Sequence, residues 1–345
     1  MSGKHVIILK NDAVGDLVHS LEAIYNIIND TEVDKITIYL SKLSKKFKFL
    51  FDNSKINVKV LNYNLSLFEK IHLFFFILFN NIFKIYILAP KKFYYYLPVF
   101  FFKTKFYAIC VDNIKGYKRP SPFLRKFLYK YVINDRSKEF KREPISKIQN
   151  DLTMGKNVKN IEIKISADLS DKLKKYLPNN YIYFHAKRKI LKELDWNIDD
   201  LKQLFKEFLK YSDTVVLTKD IEIDENTKIF KENFNSFDFK TSKFIDKSQK
   251  IIFFDNIDGK DLYNVILNSK QVIAFHGMMT NVGSINKQKV LDLFHCKIRN
   301  WNDYRNYRNS FYEFKPKYYG YDFIIPSRDI NKTIRKMKYF LKNEK

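Results

Sequence analysis

Two stretches of this chain hold side chains whose types and spacing suit acid–base and anion chemistry. The first is Asp12-Ala13-Val14-Gly15-Asp16-Leu17-Val18-His19, directly after the apolar run Val6–Leu9. A carboxylate in such a loop can take the proton of a reacting hydroxyl. Asp16 is the first candidate base and Asp12, in the same loop, the second. Asp16 could equally cap the helix whose apolar pattern begins at Leu17. Gly15 lets a ligand approach the backbone. The second stretch is Phe275-His276-Gly277-Met278-Met279-Thr280, after the run Gln271–Ala274. Where a strand gives way to a helix, backbone N–H groups and the helix dipole make an anion site. Gly277 permits close approach there, Met278 and Met279 open the first turn, Thr280 offers a hydroxyl and His276 a proton-bearing ring. His276 could instead bond a neighbouring loop. His19 and His185 read as core or loop histidines before they read as ligands.

These stretches need a scaffold of strands and helices. Strand-like runs fall at Val6–Leu9, Ile36–Leu40, Ile85–Leu88, Phe106–Val111, Ile161–Ile165, Tyr181–His185, Val215–Thr218, Ile251–Phe254 and Gln271–Ala274. Helical patterns sit between them, so parallel sheets are expected. Leu17, Leu21, Ile24, Ile27 and Ile28 recur at helical spacing. The clearest helix is Ile198–Tyr211, with Asn197 as its N-cap. A buried helix from Ile71 to about Asn80 precedes a strand at Lys84–Ala89. At 345 residues and 46% apolar composition, the chain supports two cores of roughly 150–170 residues each. The boundary is expected near Gly155–Ser166, giving units 1–160 and 161–326, then a basic helix 327–345 packing back on the first unit. G-x-G-x-x-G is absent, which argues against a dinucleotide site.

The net charge is +25, from 63 Lys and Arg against 38 Asp and Glu. Abundant Lys, Asn, Ile, Phe and Tyr with only 8 Gly and 8 Pro indicate that part of this excess follows base composition. The rest is clustered between Lys115 and Arg142, where Lys118, Arg119, Arg125, Lys126, Lys130, Arg136, Lys138 and Lys141 alternate with Tyr117, Phe123, Phe127, Tyr129 and Tyr131. That mixture suits an anionic lipid surface, single-stranded nucleic acid, or simply an amphipathic helix with a solvated basic face. The apolar runs near residues 71–90 and 93–102 are too short to span a bilayer. The two cysteines, Cys110 and Cys296, form no framework, and Lys4-His5 leads into a strand without a cleavage site. A cytoplasmic protein, peripheral to the inner membrane, is expected. No D-x-D pair or Cys/His cluster marks a metal site.

The ordered motifs resemble glycosyltransferase family 9, the heptosyltransferases of lipopolysaccharide assembly. Val14-Gly15-Asp16-Leu17-Val18-His19 looks like the family's first-loop Gly-Asp motif. Gln149-Asn150-Asp151-Leu152 before Gly155 is similar to the segment closing its first domain. His185-Ala186 followed by Lys192 and Trp196 resembles its phosphate-binding turn, although Asn197 stands where the family has Pro. Asp258-Gly259 with Asp261-Leu262 is similar to the segment preceding its donor site. The family's Asp-Thr-Gly-Pro-x-His is replaced by Phe275–Thr280, in which only Gly277 matches directly. The resemblance implies the GT-B architecture: an α/β chain of two Rossmann-like domains facing a central cleft. It implies inverting, metal-independent transfer from a nucleotide-sugar, with heptose the family's commonest sugar, to a lipopolysaccharide core or related cell-surface glycan. The nucleotide-sugar is then a co-substrate, and no cofactor is expected. Asp16 would be the base and Lys192 the phosphate ligand, with Lys187 and Arg188 as local rivals. Thr218 would border the nucleotide and Asp261 would position the donor. The other readings are a basic polyanion- or nucleic-acid-binding protein and an inactive glycosyltransferase-like partner. No specific nucleic acid is expected in the enzyme reading.

Overall fold

The computed structural model describes residues 4–112, 120–135, 142–154, 169–219, 226–295, 300–316 and 320–342. The chain divides into two compact units, Met1–Ile165 with Arg305–Lys315, and Ser166–Tyr304 with Pro316–Lys345. The expected strand Ile161–Ile165 and the expected boundary at Gly155–Ser166 lie outside the described residues.

In the first unit, six parallel strands are β1 (His5–Lys10), β2 (Lys35–Leu40), β3 (Ile56–Val60), β4 (Ile82–Ile87), β5 (Lys105–Asp112) and β6 (Lys130–Asp135). Their order is β3-β2-β1-β4-β5-β6. β1 is buried at every position, as a central parallel strand covered on both faces must be. Chain order reverses between β1 and β4, so the loops leaving those two strands diverge and open a crevice. The helical pattern after β1 is broken into Val14–His19 and Leu21–Ile28. Ser20 sits at the break and donates its hydroxyl to the Asp16 carbonyl at 2.8 Å, competing with the backbone ladder.

Two readings of this unit are corrected. The helix of the 71–80 region runs Leu67–Phe79, started by a Ser66–Glu69 capping box, and among its residues only Leu73 and Ile77 are fully buried. Its mean composition reads as a core helix, yet among the described residues no element covers its outer side. The basic stretch 115–142 is not one amphipathic helix. Its described part holds a short helix Pro122–Arg125 followed by the edge strand β6. Lys115, Tyr117, Lys118, Arg119, Arg136, Lys138 and Lys141 lie outside the described residues.

In the second unit the strands are β7 (Tyr181–His185), β8 (Thr214–Thr218), β9 (Asn235–Asp238), β10 (Lys243–Ile245), β11 (Ile251–Asp255), β12 (Gln271–Phe275), β13 (Val290–Leu293) and β14 (Tyr321–Ile324). Their order is β10-β9-β11-β8-β7-β12-β13-β14, parallel except for the β9–β10 pair. Here the reversal lies between β7 and β12. Asn197 caps the helix Ile198–Phe208 by accepting from Asp199 and Asp200 N–H at 2.8 and 3.0 Å. That helix ends before Tyr211 because Lys210 and Tyr211 bond three residues back, tightening the last turn.

The terminal helix, Ile330–Lys342, belongs to the second unit, which corrects the expectation that it packs on the first. Ile330, Ile334, Met337, Phe340 and Leu341 join Trp196, Leu201, Phe205 and Phe208 in one core. The Trp196 indole N–H fixes its approach by donating to the Ser327 and Arg328 carbonyls at 3.0 and 3.2 Å. The segment that returns to the first unit is Arg305–Lys315, most of the helix Trp301–Phe314.

His5 illustrates what burial does to a titratable group here. Its Nε2 lies 2.9 Å from the Thr37 hydroxyl, and burial, followed by the charges of Lys35 and Lys59, pushes its pKa down to about 4. The folded chain therefore keeps His5 neutral where the unfolded chain binds a proton. Its contribution to stability is complete above about pH 6.5 and is lost as pH falls towards 4. Between pH 7 and 5 the loss is about 2 kcal/mol. Thermal melts should show that His5→Gln flattens this part of the stability profile; an unchanged slope would assign it to other groups.

Candidate active site

In the first unit a cavity of about 120 Å³ lies at the carboxyl ends of the strands. Residues following β1 (Asp12, Asp16) and β4 (Leu88–Lys91) line it, so it occupies the crevice that the strand reversal opens. Lys10, Asn134, Gln149 and Glu313 complete its polar wall.

Lys10 and Asp12 make an ion pair at 2.7 Å, with side chains 1% and 13% exposed. Burial pushes the Asp12 carboxyl above its ordinary value; Lys10 pulls it back and the charge of Asp16 adds to the rise. One Asp12 oxygen is thus held by Lys10 while the other, Oδ1, is buried without a partner. The Gln149 Oε1, on the buried side of the helix Ile145–Thr153, is likewise unpartnered. Buried acceptors lacking donors are uncommon, and both of these belong to residues that line the cavity. Glu313, on the returning segment, accepts from Asn134 Nδ2 at 3.1 Å and Arg142 Nη1 at 3.0 Å. Lys91 reaches back to the Tyr63 carbonyl, and burial lowers its pKa against the opposing pull of Asp12.

Asp16 stands in the first turn of Val14–His19, whose N-cap is Ala13, with no side-chain cap bond. Helix capping therefore does not occupy the Asp16 carboxylate, which lines the cavity instead. Gly15 is half-buried in the same turn. His19 is buried, its ring tilted against Phe314 with centroids 6.1 Å apart.

In the second unit the equivalent reversal brings together the loops after β7 and β12, whose strands pair with Ala274 opposite His185. Lys187 leaves the β7 loop and donates its ammonium to the His276 carbonyl at 2.5 Å. A Cβ on Gly277 would meet that Lys187 Nζ at 2.5 Å, and the Gly277 φ of +155° is one that side chains rarely adopt. His276 Nδ1 lies 2.6 Å from Asp292 Oδ2, which also accepts from the Tyr321 hydroxyl at 2.7 Å. Asp292 is fully buried on β13. The His276 ring also packs against Phe294, centroids 4.4 Å apart.

The other residues anticipated in this unit are engaged elsewhere. The Thr280 hydroxyl donates to the Gly277 carbonyl at 2.8 Å and accepts from the Gly277 N–H at 3.2 Å, so it caps its own helix. Met278 and Met279 are buried, their backbone opening the helix Met278–Ile285. The Thr218 hydroxyl lies 2.7 Å from that of Tyr183 in the interior. Asp261 is buried, raised in pKa by that burial, and accepts from the Ser170 hydroxyl at 3.0 Å, tying two helix starts together. Lys192 is exposed on the last turn of Arg188–Leu194, whereas Lys187 meets the His276–Gly277 loop. His185 is buried at the end of β7.

No protein-family model and no curated protein sequence matches the chain. Solved structures do. E. coli ADP-heptose lps heptosyltransferase II matches with a TM-score of 0.66 at 10% identity, over 98% of this chain and 98% of that one. A family 9 glycosyl transferase from Veillonella parvula gives 0.61 at 11% identity, over 99% and 90% of the two chains. The UDP-GlcNAc 2-epimerase of Methanocaldococcus jannaschii gives 0.57 at 12%, over 99% and 93%. This chain has the GT-B fold of the family 9 heptosyltransferases. Its two β/α units are the Rossmann-like halves of that fold, and each puts polar side chains at its own strand reversal.

Sequence reasoning missed Lys10, Lys91, Asn134, Glu313, Asp292 and Tyr321. Lys10 and Asp292 carried a usable signal, each being a charge inside or ending an otherwise apolar strand. Lys10→Met should leave Asp12 buried without its cation and destabilise the fold by about 3 kcal/mol. Adding Asp12→Leu should recover much of that loss in a double-mutant cycle; additive losses would deny the coupling.

Proposed function

We propose that this GT-B protein is an inverting, metal-independent glycosyltransferase that moves a sugar from a nucleotide-sugar to a hydroxyl of a lipopolysaccharide core or related cell-surface glycolipid. The carrying observation is the first-unit cavity, where the uncapped carboxylate Asp16 stands beside buried, unpartnered acceptors on Asp12 and Gln149. A polar cavity of this kind suits the hydroxyls of a sugar, and Asp16 suits the one that reacts. The heptosyltransferase-like fold supports the same reading, since two of the solved relatives are E. coli heptosyltransferase WaaC with ADP and with ADP-2-deoxy-2-fluoro heptose.

In the proposed reaction Asp16 takes the acceptor's proton as the hydroxyl oxygen attacks the anomeric carbon. The carbon–oxygen bond to the diphosphate breaks from the opposite side, and the nucleoside diphosphate leaves with the bonding pair. The second unit would hold that leaving group with the Lys187 ammonium, the His276 ring and the backbone N–H groups of Met278 and Met279. Lys10 holds Asp12 in place by their ion pair, so Asp12 positions while Asp16 reacts. Lys187 replaces Lys192 as the favoured phosphate ligand because it lies at the strand reversal. Heptose is the first sugar to test, and the site of action would be the cytoplasmic side of the inner membrane.

Thermal shift with ADP, UDP, GDP and CMP should single out one nucleotide as stabilising, identifying the donor base by linkage. Asp16→Asn should then abolish transfer and keep that shift, while Lys187→Ala should weaken nucleotide binding about tenfold. EDTA should leave the rate unchanged. Transfer that survives Asp16→Asn would sink the assignment of the base.

A further inference from the structure

The outer side of the first unit carries an apolar surface that neither site uses. Three segments cover one face of its sheet: the helix Leu67–Phe79, the turn and helix spanning Lys92–Phe100, and the helix Pro122–Arg125. Their inner residues Leu73, Ile77, Tyr94, Tyr95, Leu97 and Leu124 share one core, and Pro122–Arg125 packs against Lys92–Tyr96. Their outer residues face solvent. Phe68 is 77% exposed, Phe79 79% and Phe102 81%, with Ile71, Phe75, Leu78, Phe100 and Phe123 also exposed. Along the helix, Phe68, Ile71, Phe75, Leu78 and Phe79 fall on one side at spacings of three and four. Phe74 joins that helix to the next segment, its ring 5.6 Å from Phe100 and 4.9 Å from Phe101. Contiguous exposed apolar area of this kind marks a binding surface.

Charge decides what binds. Residues 63–111 contain six lysines and a single acidic residue, Glu69, whose carboxylate is taken up by Asn62 and Ser66. Lys92, Lys103 and Lys126 are exposed around the aromatic rings. A second copy of this surface would bring like charges together, whereas an anionic bilayer accepts rings at headgroup depth and cations against phosphate. We propose that this face is a membrane-docking surface, with the helix Leu67–Phe79 lying in the plane of an anionic lipid bilayer. Among the described residues no helix is long and apolar enough to cross one. The proposal goes beyond the transferase reading and does not depend on it.

Sedimentation of the intact protein with phosphatidylcholine vesicles, with and without phosphatidylglycerol, tests this directly. The protein should bind the phosphatidylglycerol vesicles more tightly, and salt should weaken that binding. Phe68→Ser/Phe79→Ser/Phe102→Ser should reduce it at least about tenfold without changing the thermal transition, because all three rings are exposed. Equal binding by the variant would overturn the proposal. So would a wild-type protein that ignores vesicles while light scattering shows a dimer that the same variant dissociates. Binding is read without sugar transfer, so failure here leaves the enzymatic reading standing, and failure of transfer leaves this one.

Discussion

Reversal of strand order is the constraint on which both units depend. In a parallel sheet every loop carrying chemistry leaves a carboxyl end, but adjacent loops normally run the same way and cover one another. Only where neighbouring strands send their chains to opposite sides does the edge stay open. In the first unit that place lies between β1 and β4, and the cavity forms there, walled by Asp12, Asp16 and Lys91. In the second it lies between β7 and β12, and there Lys187 meets the His276–Gly277 turn. Each half of the GT-B fold thus sets its reactive groups through topology before any particular side chain is chosen.

Burial then selects which groups remain available. Thr280, Thr218 and Asp261 all stand at or near the carboxyl edge, yet each meets an internal partner, because an unpaired buried polar group is costly. His276 is different. Its Nδ1 is held by the fully buried Asp292, so the ring has one fixed orientation and its other nitrogen is left for other chemistry. The Tyr321 hydroxyl on the same carboxylate oxygen keeps Asp292 in place. Asp12 is the first-unit counterpart: Lys10 holds one of its oxygens, and the other is buried without a partner.

Central strands were legible because they are continuous apolar runs; β7 is read at its full length and β1, β2 and β12 to within a residue or two. The short strands β9, β10, β13 and β14 and the edge strands β3 and β6 were not, since sequences such as Asn-Ser-Phe-Asp carry no periodicity and are fixed by neighbours in the sheet. The Gly-Asp turn could be read, because strand, turn and helix are local. Glu313 could not, because its partner Asn134 lies 179 residues away in sequence, across other elements. The helix Leu67–Phe79 misled for another reason. Composition reports how apolar a segment is, and a half-exposed helix and a core helix share that value; what separates them is that, among the described residues, nothing covers this helix's outer side.

The apolar helix and the first-unit cavity are mechanically one piece. Asn11 follows β1 and donates its amide to the Asn62 carbonyl at 2.7 Å, while the Tyr94 hydroxyl donates to Asn11 Oδ1 at the same distance. Asn62 N–H in turn donates to the Glu69 carboxylate at 2.7 Å, and that carboxylate closes the capping box which starts the helix. Tyr63, in the same segment, lines the cavity and receives Lys91. A chain of short bonds therefore runs from the rim of the cavity to the first turn of the helix. An acceptor anchored in lipid presents its sugar at a nearly constant height above the bilayer, so an enzyme that uses it gains from a fixed relation between its docking face and its base. On the proposed reading, Asn62 and Glu69 would supply that relation, since their bonds link the loop after β1 to the start of the helix within the first unit.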